Sequence, residues 1–210
     1  MTILFAGGGT GGHVYPAIAI ADALRSRGAD VVFVGTADRL EASAVPKAGY
    51  SLQTIAGRPL TRKLSLELLR TAAANLVGTL QSLRIVGRCR PDAIVATGGY
   101  VCFPVVLAAR MLRAVRRFGG GIALLEPNAR PGLTNRVLAP LVDEVWGTFE
   151  RPDPRFAGKY VPTGMPVRAA LRSLPARDAA VARLGLDPAR KTLLAMGGSQ
   201  GARSINDAIV

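Results

Sequence analysis

The sequence contains few residues of several types, and each low count excludes some classes of protein or binding site. Its 210 residues include two cysteines, one histidine and only 5% aromatic residues. Two cysteines without metal-ligand spacing favour a reduced compartment over a disulfide framework or a zinc site. No apolar run approaches the ~18–20 residues that span a bilayer, and the first residues lack the charged start of a signal peptide. A globular protein without a membrane span is therefore expected.

Acidic pairs and dinucleotide signatures are missing as well. No Asp-x-Asp pair is present, so a carboxylate-held divalent metal is not expected, and neither metal nor cofactor is predicted. The first glycine loop does not fit the Gly-x-Gly-x-x-Gly pattern, and Gly35 and Thr36 stand where an acidic residue would end the second strand. A nicotinamide-dependent dehydrogenase is therefore possible on the fold pattern but is disfavoured by these two departures.

Acidic residues are heavily outnumbered by basic ones. There are 27 Lys and Arg against 14 Asp and Glu, a net charge of +13. From Arg58 to Arg136, thirteen basic residues face only Glu67, Asp92 and Glu126. A solvated arginine-rich surface, a nucleic-acid interface and an anionic membrane surface each explain this excess. Because aromatic residues are few and no nucleic-acid-binding motif is present, a membrane surface is favoured over nucleic acid.

Apolar runs of strand length alternate with helix-length segments along the chain. The predicted strands cover residues 2–6, 30–35, 52–56, 92–97, 122–126, 144–147 and 160–162. The predicted helices cover residues 16–27, 38–48, 64–88, 101–115 and 133–139. Nearly continuous apolar strands separated by helices are typical of a parallel sheet covered on both faces. The sequence predicts an α/β fold, a doubly wound Rossmann-like domain that binds ligands at the carboxyl ends of its strands.

A turn-forming stretch at residues 163–168 marks a predicted domain boundary. Residues 1–163 are assigned to the first domain, and residues 164–210 to a linker and the first β-α unit of a second. This second part has a predicted helix over 177–184, a strand over 192–196 and a helix over 202–210. About 45 residues are too few for the ~100–150 of a usual domain, so the second domain is expected to be incomplete.

Three short glycine-rich loops each follow an apolar, strand-like run, at residues 7–12, 98–99 and 197–201. A strand that ends in glycines before a helix brings free backbone N–H groups to a helix N-terminus, where the helix dipole favours phosphate. One such loop is as well explained by a tight connection. Three of them, one followed by the only histidine, predict a site for an anionic sugar nucleotide.

Polar residues in and beside these loops are the candidate site residues. His13 is either a neutral general base, its pKa lowered at a helix N-terminus, or a helix cap. Tyr100 either contacts a sugar or packs against the core. Glu126 and Asn128 follow a strand end, where they recognise hydroxyl and amide groups or cap a helix. Arg168 either meets a phosphate at the domain boundary or is a surface linker residue.

Five motifs stand in the order in which one enzyme family has them. They lie at residues 8–16, 35–41, 98–101, 132–135 and 197–202. On these motifs the chain closely resembles, over residues 1–210, the MurG family of peptidoglycan glycosyltransferases.

The resemblance implies a GT-B fold, in which two Rossmann-like domains face a cleft, with this chain holding the N-terminal domain and the start of the C-terminal one. It implies a hexosyltransferase that moves GlcNAc, with inversion, from UDP-GlcNAc to the 4-hydroxyl of MurNAc-pentapeptide on undecaprenyl pyrophosphate, converting lipid I to lipid II. It further implies peripheral attachment to the cytoplasmic face of the bacterial inner membrane. Because the family's C-terminal domain supplies most donor recognition, the 210 residues alone are expected to be inactive.

The resemblance also assigns roles residue by residue. The family's contacts to UDP-GlcNAc fall on Thr10, Gly11, Gly12, Asn128, Arg168 and Ser199. His13 matches the loop histidine, a candidate base for the acceptor hydroxyl, and Tyr100 and Glu126 are candidate acceptor contacts. Leu125 and Pro127 stand where the family commonly has His and Gln, and Met165 where it has Asn. These departures leave Asn128 and Arg168 in place.

A module that only binds the acceptor is the alternative interpretation. It would need a separate donor-binding partner, as in the split GlcNAc transferases of eukaryotes. The DNA after codon 210 discriminates the two: donor-domain codons in frame indicate one enzyme, and a stop codon with a separate donor-domain gene indicates a split one.

Overall fold

Seven parallel strands form one sheet in the order β3-β2-β1-β4-β5-β6-β7. This computed structural model describes residues 1–59, 66–171, 173–197 and 201–209. The strands are β1 (Thr2–Ala6), β2 (Asp30–Gly35), β3 (Ser51–Thr54), β4 (Ala93–Ala96), β5 (Gly121–Glu126), β6 (Glu144–Gly147) and β7 (Tyr160–Pro162). The helices of the same unit are α1 (Gly11–Arg25), α2 (Leu40–Lys47), α3 (Leu66–Cys89), α4 (Cys102–Ala114) and α5 (Leu133–Leu138).

Helices cover both faces of this sheet, and β1, an inner strand between β2 and β4, is apolar on both sides. Leu4 is buried on one face, in a core shared with residues of α3, α4 and α5. Phe5 is buried on the other face, in a core shared with residues of α1 and α2. Successive side chains of a strand point to opposite faces, so a strand buried on both must be apolar throughout. The predicted α/β fold with a doubly wound parallel sheet is confirmed.

The predicted elements match those of the sheet-containing unit with small shifts. β1, β2, β6 and β7 have the predicted bounds, and β3, β4 and β5 differ by one or two residues at an end. The largest shift is in α1, which begins at Gly11 rather than at Pro16, so His13 lies inside the helix. Residues 64 and 65, where α3 was predicted to begin, lie outside the described residues.

The chain divides into two compact units, Met1–Arg168 and Ala169–Val210. The second unit contains α6 (Arg177–Arg183) and α7 (Arg203–Ile209), close to two predicted helices. The strand predicted at 192–196 is wrong: residues 191–197 have no regular secondary structure. A strand needs a neighbour to accept and donate its backbone hydrogen bonds, and the described part of this unit contains no other strand. The assignment of residues 164–210 to a second domain stays a prediction.

Candidate functional site

The first glycine loop leads directly into α1 at the carboxyl edge of the sheet. Its N-cap residue, Thr10, has an extended backbone, and its side chain makes no capping hydrogen bond. The first N–H groups of a helix have no acceptor within the helix, so those of Gly11 and Gly12 remain available. Thr10 and Gly12 are exposed and Gly11 is half-buried. This helix end therefore offers donors and the positive end of a dipole to an anion.

His13 lies in the first turn of α1 and is fixed by the loop that follows β4. Its Nδ1 lies 3.0 Å from the carbonyl oxygen of Thr97. Because a carbonyl oxygen only accepts hydrogen bonds, Nδ1 carries the hydrogen and Nε2 of the neutral ring holds the lone pair. Burial lowers the pKa of His13 below 6.5, while the Thr97 bond and the carboxylates of Glu126 and Glu41 oppose this shift. The surroundings therefore favour the neutral ring, and its Nε2 has no hydrogen-bond partner among the described residues.

The second glycine loop packs against this imidazole. Gly98 has a φ of +103°, a conformation that other residues rarely adopt, and a Cβ there would overlap the ring of His13. Glycine at this position is thus required twice, for the backbone conformation and for the approach to His13.

Tyr100 follows in the same loop and is half-buried. Its hydroxyl lies 3.3 Å from Oγ1 of Thr36, at the end of β2. Its ring carbons would lie within about 3.4 Å of a Cβ on Gly9 or Gly57, so the ring fills the space between these two loops. Tyr100 thus both packs and borders the site.

Glu126 ends β5 as a buried carboxylate whose two oxygens are both occupied. Oε1 accepts hydrogen bonds from the backbone N–H and the side-chain amide of Asn128, at 2.9 Å each. Oε2 accepts from Nδ2 of Asn135 at 2.8 Å and from the N–H of Gly132 at 3.3 Å. The loop after β5 is therefore folded around Glu126, and Asn128 is held at the exposed rim.

An open cleft of about 200 Å³ brings these groups together. His13, Tyr100, Glu126 and Asn128 line it, together with residues 132–135 at the start of α5. In the described part of the chain, no group of three or more His, Cys, Asp or Glu side chains is placed to hold a metal ion.

Arg168 reaches the same region through an aromatic ring. Its guanidinium carbon lies 4.9 Å from the ring centroid of Tyr15, which stands two residues after His13 in α1. Such a contact over the face of a tyrosine ring holds a guanidinium in place. Ser199, the remaining predicted donor contact, lies outside the described residues. The substrate roles of all these residues stay predictions.

Sequence reasoning gave no role to four buried polar residues around the cleft: Thr36, Glu41, Thr97 and Asn135. Glu41 is fully buried in α2, and its carboxylate joins two loops of the carboxyl edge. One signal was available, because Glu41 stands four residues before the buried Val45 and so on the inward face of its helix. Asn135 has a similar signal, because it stands three residues before the buried Leu138 in α5, whereas Thr36 and Thr97 have none.

Comparisons with known proteins identify the family of the chain. Residues 3–146 match the family described as glycosyltransferase family 28 N-terminal domain. A relative from Salinibacter ruber is 47% identical over 217 residues, covering 99% of this chain and 55% of the relative. One from Halothermothrix orenii is 37% identical, covering 100% of this chain and 56% of the relative. Both are named UDP-N-acetylglucosamine–N-acetylmuramyl-(pentapeptide) pyrophosphoryl-undecaprenol N-acetylglucosamine transferase.

A solved structure is similar as well. The crystal structure of MurG from Acinetobacter baumannii has a TM-score of 0.64 and 28% identity, covering 82% of this chain and 47% of that chain. The chain therefore spans about half the length of the relatives it matches. The family resemblance predicted from the five motifs is confirmed, and the chain belongs to glycosyltransferase family 28, whose N-terminal domain occupies most of its length.

Proposed function

We propose that this chain is the acceptor-side half of an inverting GlcNAc transferase. The donor is UDP-GlcNAc, and the acceptor is the 4-hydroxyl of MurNAc-pentapeptide on undecaprenyl pyrophosphate. The names of the relatives support this substrate pair. The observation that carries the proposal is His13, a half-buried imidazole with its Nδ1 hydrogen engaged by Thr97, at the wall of a cleft and in the first turn of α1.

The reaction needs one base and one anion site. Nε2 of His13 takes the proton of the acceptor hydroxyl while that oxygen attacks the anomeric carbon of GlcNAc. The new bond joins the acceptor oxygen to this carbon, the bond from the carbon to the phosphate oxygen breaks, and UDP leaves with the electron pair. Attack from the side opposite the leaving group inverts the anomeric centre.

The other predicted site residues are assigned to the donor and the acceptor. The N–H groups of Gly11 and Gly12, beside Thr10, face the phosphates of the donor together with Arg168, because helix N-termini and guanidinium groups both favour phosphate. Asn128, oriented by Glu126, contacts the donor sugar, and Ser199 completes the donor contacts. Tyr100 borders the acceptor, and Glu126 acts on it through the loop it orders.

The test uses this chain joined to the C-terminal half of the Salinibacter ruber relative. His13→Ala in that protein is expected to lower kcat by about 10² to 10⁴ with the KM for UDP-GlcNAc largely kept. The 210 residues alone are expected to transfer no GlcNAc, because holding donor and acceptor in one cleft supplies about 7–11 kcal/mol of the barrier. Full kcat in the His13 variant would refute the role of the base.

The same assay separates the alternative of a non-catalytic half. If the C-terminal half added as a separate chain restores transfer as well as the joined protein does, the split arrangement is favoured. Transfer by the 210 residues alone at the rate of the joined protein would contradict both interpretations.

We further propose that the α3 side of the domain binds the surface of an anionic membrane, at the cytoplasmic face of the inner membrane. Among the described residues, no helix is long and apolar enough to cross a bilayer. However, α3 has its apolar side in solvent: Leu69, Leu76 and Leu80 are 67%, 62% and 54% exposed. Its buried residues include the polar side chains Thr71, Asn75, Thr79 and Ser82. An amphipathic helix with its apolar stripe exposed is suited to lie in a membrane interface.

Basic residues border this stripe. A groove of about 490 Å³ between the ends of α3 and α4 is lined by Arg84, Arg88 and Arg117. Within the described residues, none of these three forms an ion pair. Arg113 behaves differently, because both its terminal nitrogens lie 2.7 Å from the carboxylate oxygens of Asp143. The three groove arginines therefore remain available to lipid phosphates, at about 1 kcal/mol for each residue near the surface.

A further inference from the structure

A buried carboxylate beside the cleft has no part in the proposed chemistry. Glu41 in α2 is fully buried. In the part of the chain that the structure describes, no Lys, Arg or His lies within ion-pair distance of it. Burying a charged group is costly unless hydrogen bonds compensate for the lost water, so the donors around Glu41 account for its position.

Three hydrogen-bond donors from two loops bind this carboxylate. Oε2 accepts from the N–H of Gly9, in the loop after β1, at 2.9 Å. Oε1 accepts from the N–H of Thr36 at 3.0 Å and from its hydroxyl at 2.7 Å. Hydrogen bonds to a carboxylate are stronger than those between neutral groups, and a buried donor that loses its acceptor destabilises the fold.

A third loop joins through the Thr36 hydroxyl. That hydroxyl has a single hydrogen, which it donates to Glu41, so the hydroxyl of Tyr100 at 3.3 Å must donate to Thr36. Tyr100 belongs to the loop after β4, and the same loop carries the Thr97 carbonyl that fixes His13. Glu41 thus connects the loops after β1, β2 and β4.

The loop after β1 also packs directly against the side chain of Glu41. A Cβ on Gly8 would overlap the carboxylate of Glu41. The backbone at Gly8 therefore lies directly against the carboxylate, and a change in the position of Glu41 is transmitted to the residues that lead into His13.

We propose that Glu41 is a positioning residue for His13, holding the loops after β1 and β4 in the arrangement that the base requires. The inference rests on the proposed function for its catalytic meaning. The charged and titratable groups that face His13 are Glu41 from α2, Glu126 from β5, and Tyr100 from the loop after β4.

The only histidine of the chain makes a direct test possible, because its imidazole NMR signals report on one residue. Glu41→Gln keeps the length of the side chain and removes its charge. The side-chain amide nitrogen of the glutamine cannot accept a hydrogen bond from the N–H of Gly9. The variant also lacks the negative charge that favours the imidazolium form of His13. The pKa of His13 is expected to fall, because the Glu41 carboxylate is one of the groups that raise it, and the Gly9 amide signal is expected to move.

One further variant separates the effect of the charge at position 41 from the effect of side-chain length, and another serves as the control. Glu41→Asp keeps the charge, but the shorter side chain does not reach both loops, so the Gly9 amide is expected to move with less change in the pKa of His13. Ser43→Ala is the control: Ser43 is exposed in the same helix, its hydroxyl bonds only the carbonyl of Leu40, and both readouts should stay as in the parent chain.

A second pair of variants keeps the test valid if Glu41→Gln fails to fold. Thr36→Val removes the hydroxyl between Tyr100 and Glu41, and Thr36→Ser restores it. In the chain joined to the donor half, Thr36→Val is expected to lower kcat about 10-fold with the KM for UDP-GlcNAc kept, and Thr36→Ser to recover kcat.

The outcomes are distinguishable. If the His13 pKa and the Gly9 amide stay unchanged in Glu41→Gln while only the unfolding midpoint falls, Glu41 is structural and the inference is wrong. If kcat of Thr36→Val equals that of Thr36→Ser and of the parent, the inference is likewise wrong. If the joined parent protein transfers no GlcNAc, the proposed function fails, and the NMR readouts still decide whether Glu41 positions His13.

Discussion

At the scale of single residues, His13 is held by one hydrogen bond that also determines which nitrogen is free. The bond from Nδ1 to Thr97 would persist in either protonation state, so the charge of the ring depends on its surroundings. Burial is the largest influence and lowers the pKa of His13 below 6.5. Folding therefore favours the neutral ring.

This shift predicts a specific dependence of stability on pH. As pH falls below 6.5, the unfolded chain binds a proton at His13 before the folded chain does, so the free energy of unfolding decreases until the lowered pKa is reached. His13→Ala is expected to remove this decrease. Urea unfolding of both proteins between pH 7.5 and 5 measures it, and identical pH profiles would show that His13 is not shifted by folding.

Cys102 gives a second prediction at this scale. Its thiol is fully buried, lies 3.1 Å from the carbonyl oxygens of Ala6 and Gly98, and has its pKa raised by burial to about 12. Only the thiolate reacts rapidly, so Cys102 is expected to be inert in the folded chain and the half-buried Cys89 to react first. Titration with a disulfide reagent should give one accessible thiol in buffer and two in denaturant. Two fast thiols in buffer would contradict the burial of Cys102.

At the scale of elements, one ion pair joins α4 to the turn before β6. Arg113 contacts both carboxylate oxygens of Asp143, and Asp143 also accepts the N–H of Ile122 at 2.8 Å, which connects the turn to β5. The hydrogen bonds from Arg113 are the largest cause of a lowered pKa at Asp143. The guanidinium of Arg113 is therefore occupied by a contact within the fold.

Arg113→Gln is expected to lower the free energy of unfolding by about 1 kcal/mol at pH 7, a value suited to a two-bond pair that is partly exposed. Because the pKa of Asp143 is lowered on folding, its contribution is complete above 3.8 and is lost as pH falls through the lowered value. The difference between variant and parent should therefore shrink below pH 3.8. Arg116→Gln, exposed and without an ion pair among the described residues, is the control. Equal stability of the two variants at pH 7 would mean that the pair contributes nothing.

The sheet was predictable from sequence because its inner strands β1 and β4 are almost wholly apolar, as strands covered on both faces must be. The start of α1 was not, since Gly11 and Gly12 weaken a helix locally and only the surrounding loops hold them in one. Among the site residues, His13 and Asn128 stand beside glycine or strand-end signals. Glu41 contacts Gly9, 32 positions away, and Thr36 contacts Tyr100, 64 positions away, and no local pattern encodes these contacts.

At the scale of the whole molecule, charge and the exposed side of α3 predict binding to anionic vesicles. Arg88→Gln with Arg117→Gln is expected to weaken co-sedimentation about 30-fold, at roughly 1 kcal/mol for each residue, and high salt should have the same effect on the parent chain. Arg27→Gln with Lys47→Gln is the matched control, since these exposed residues belong to the α1 and α2 side of the sheet. Equal loss in both double variants would indicate general charge attraction, and no loss would remove the groove from the interface.

The position of β1 between β2 and β4 has a consequence for synthesis. Ile3 pairs with Val31 on one side but with Ala93 on the other, and these two partners leave the ribosome far apart in time. At about 5–20 residues per second, the first strand waits roughly 5 to 20 s for its second neighbour. During that interval the nascent chain exposes Leu4 and Ala6, which α4 later covers. A chaperone at the ribosomal exit would therefore bind the nascent chain at its first strand.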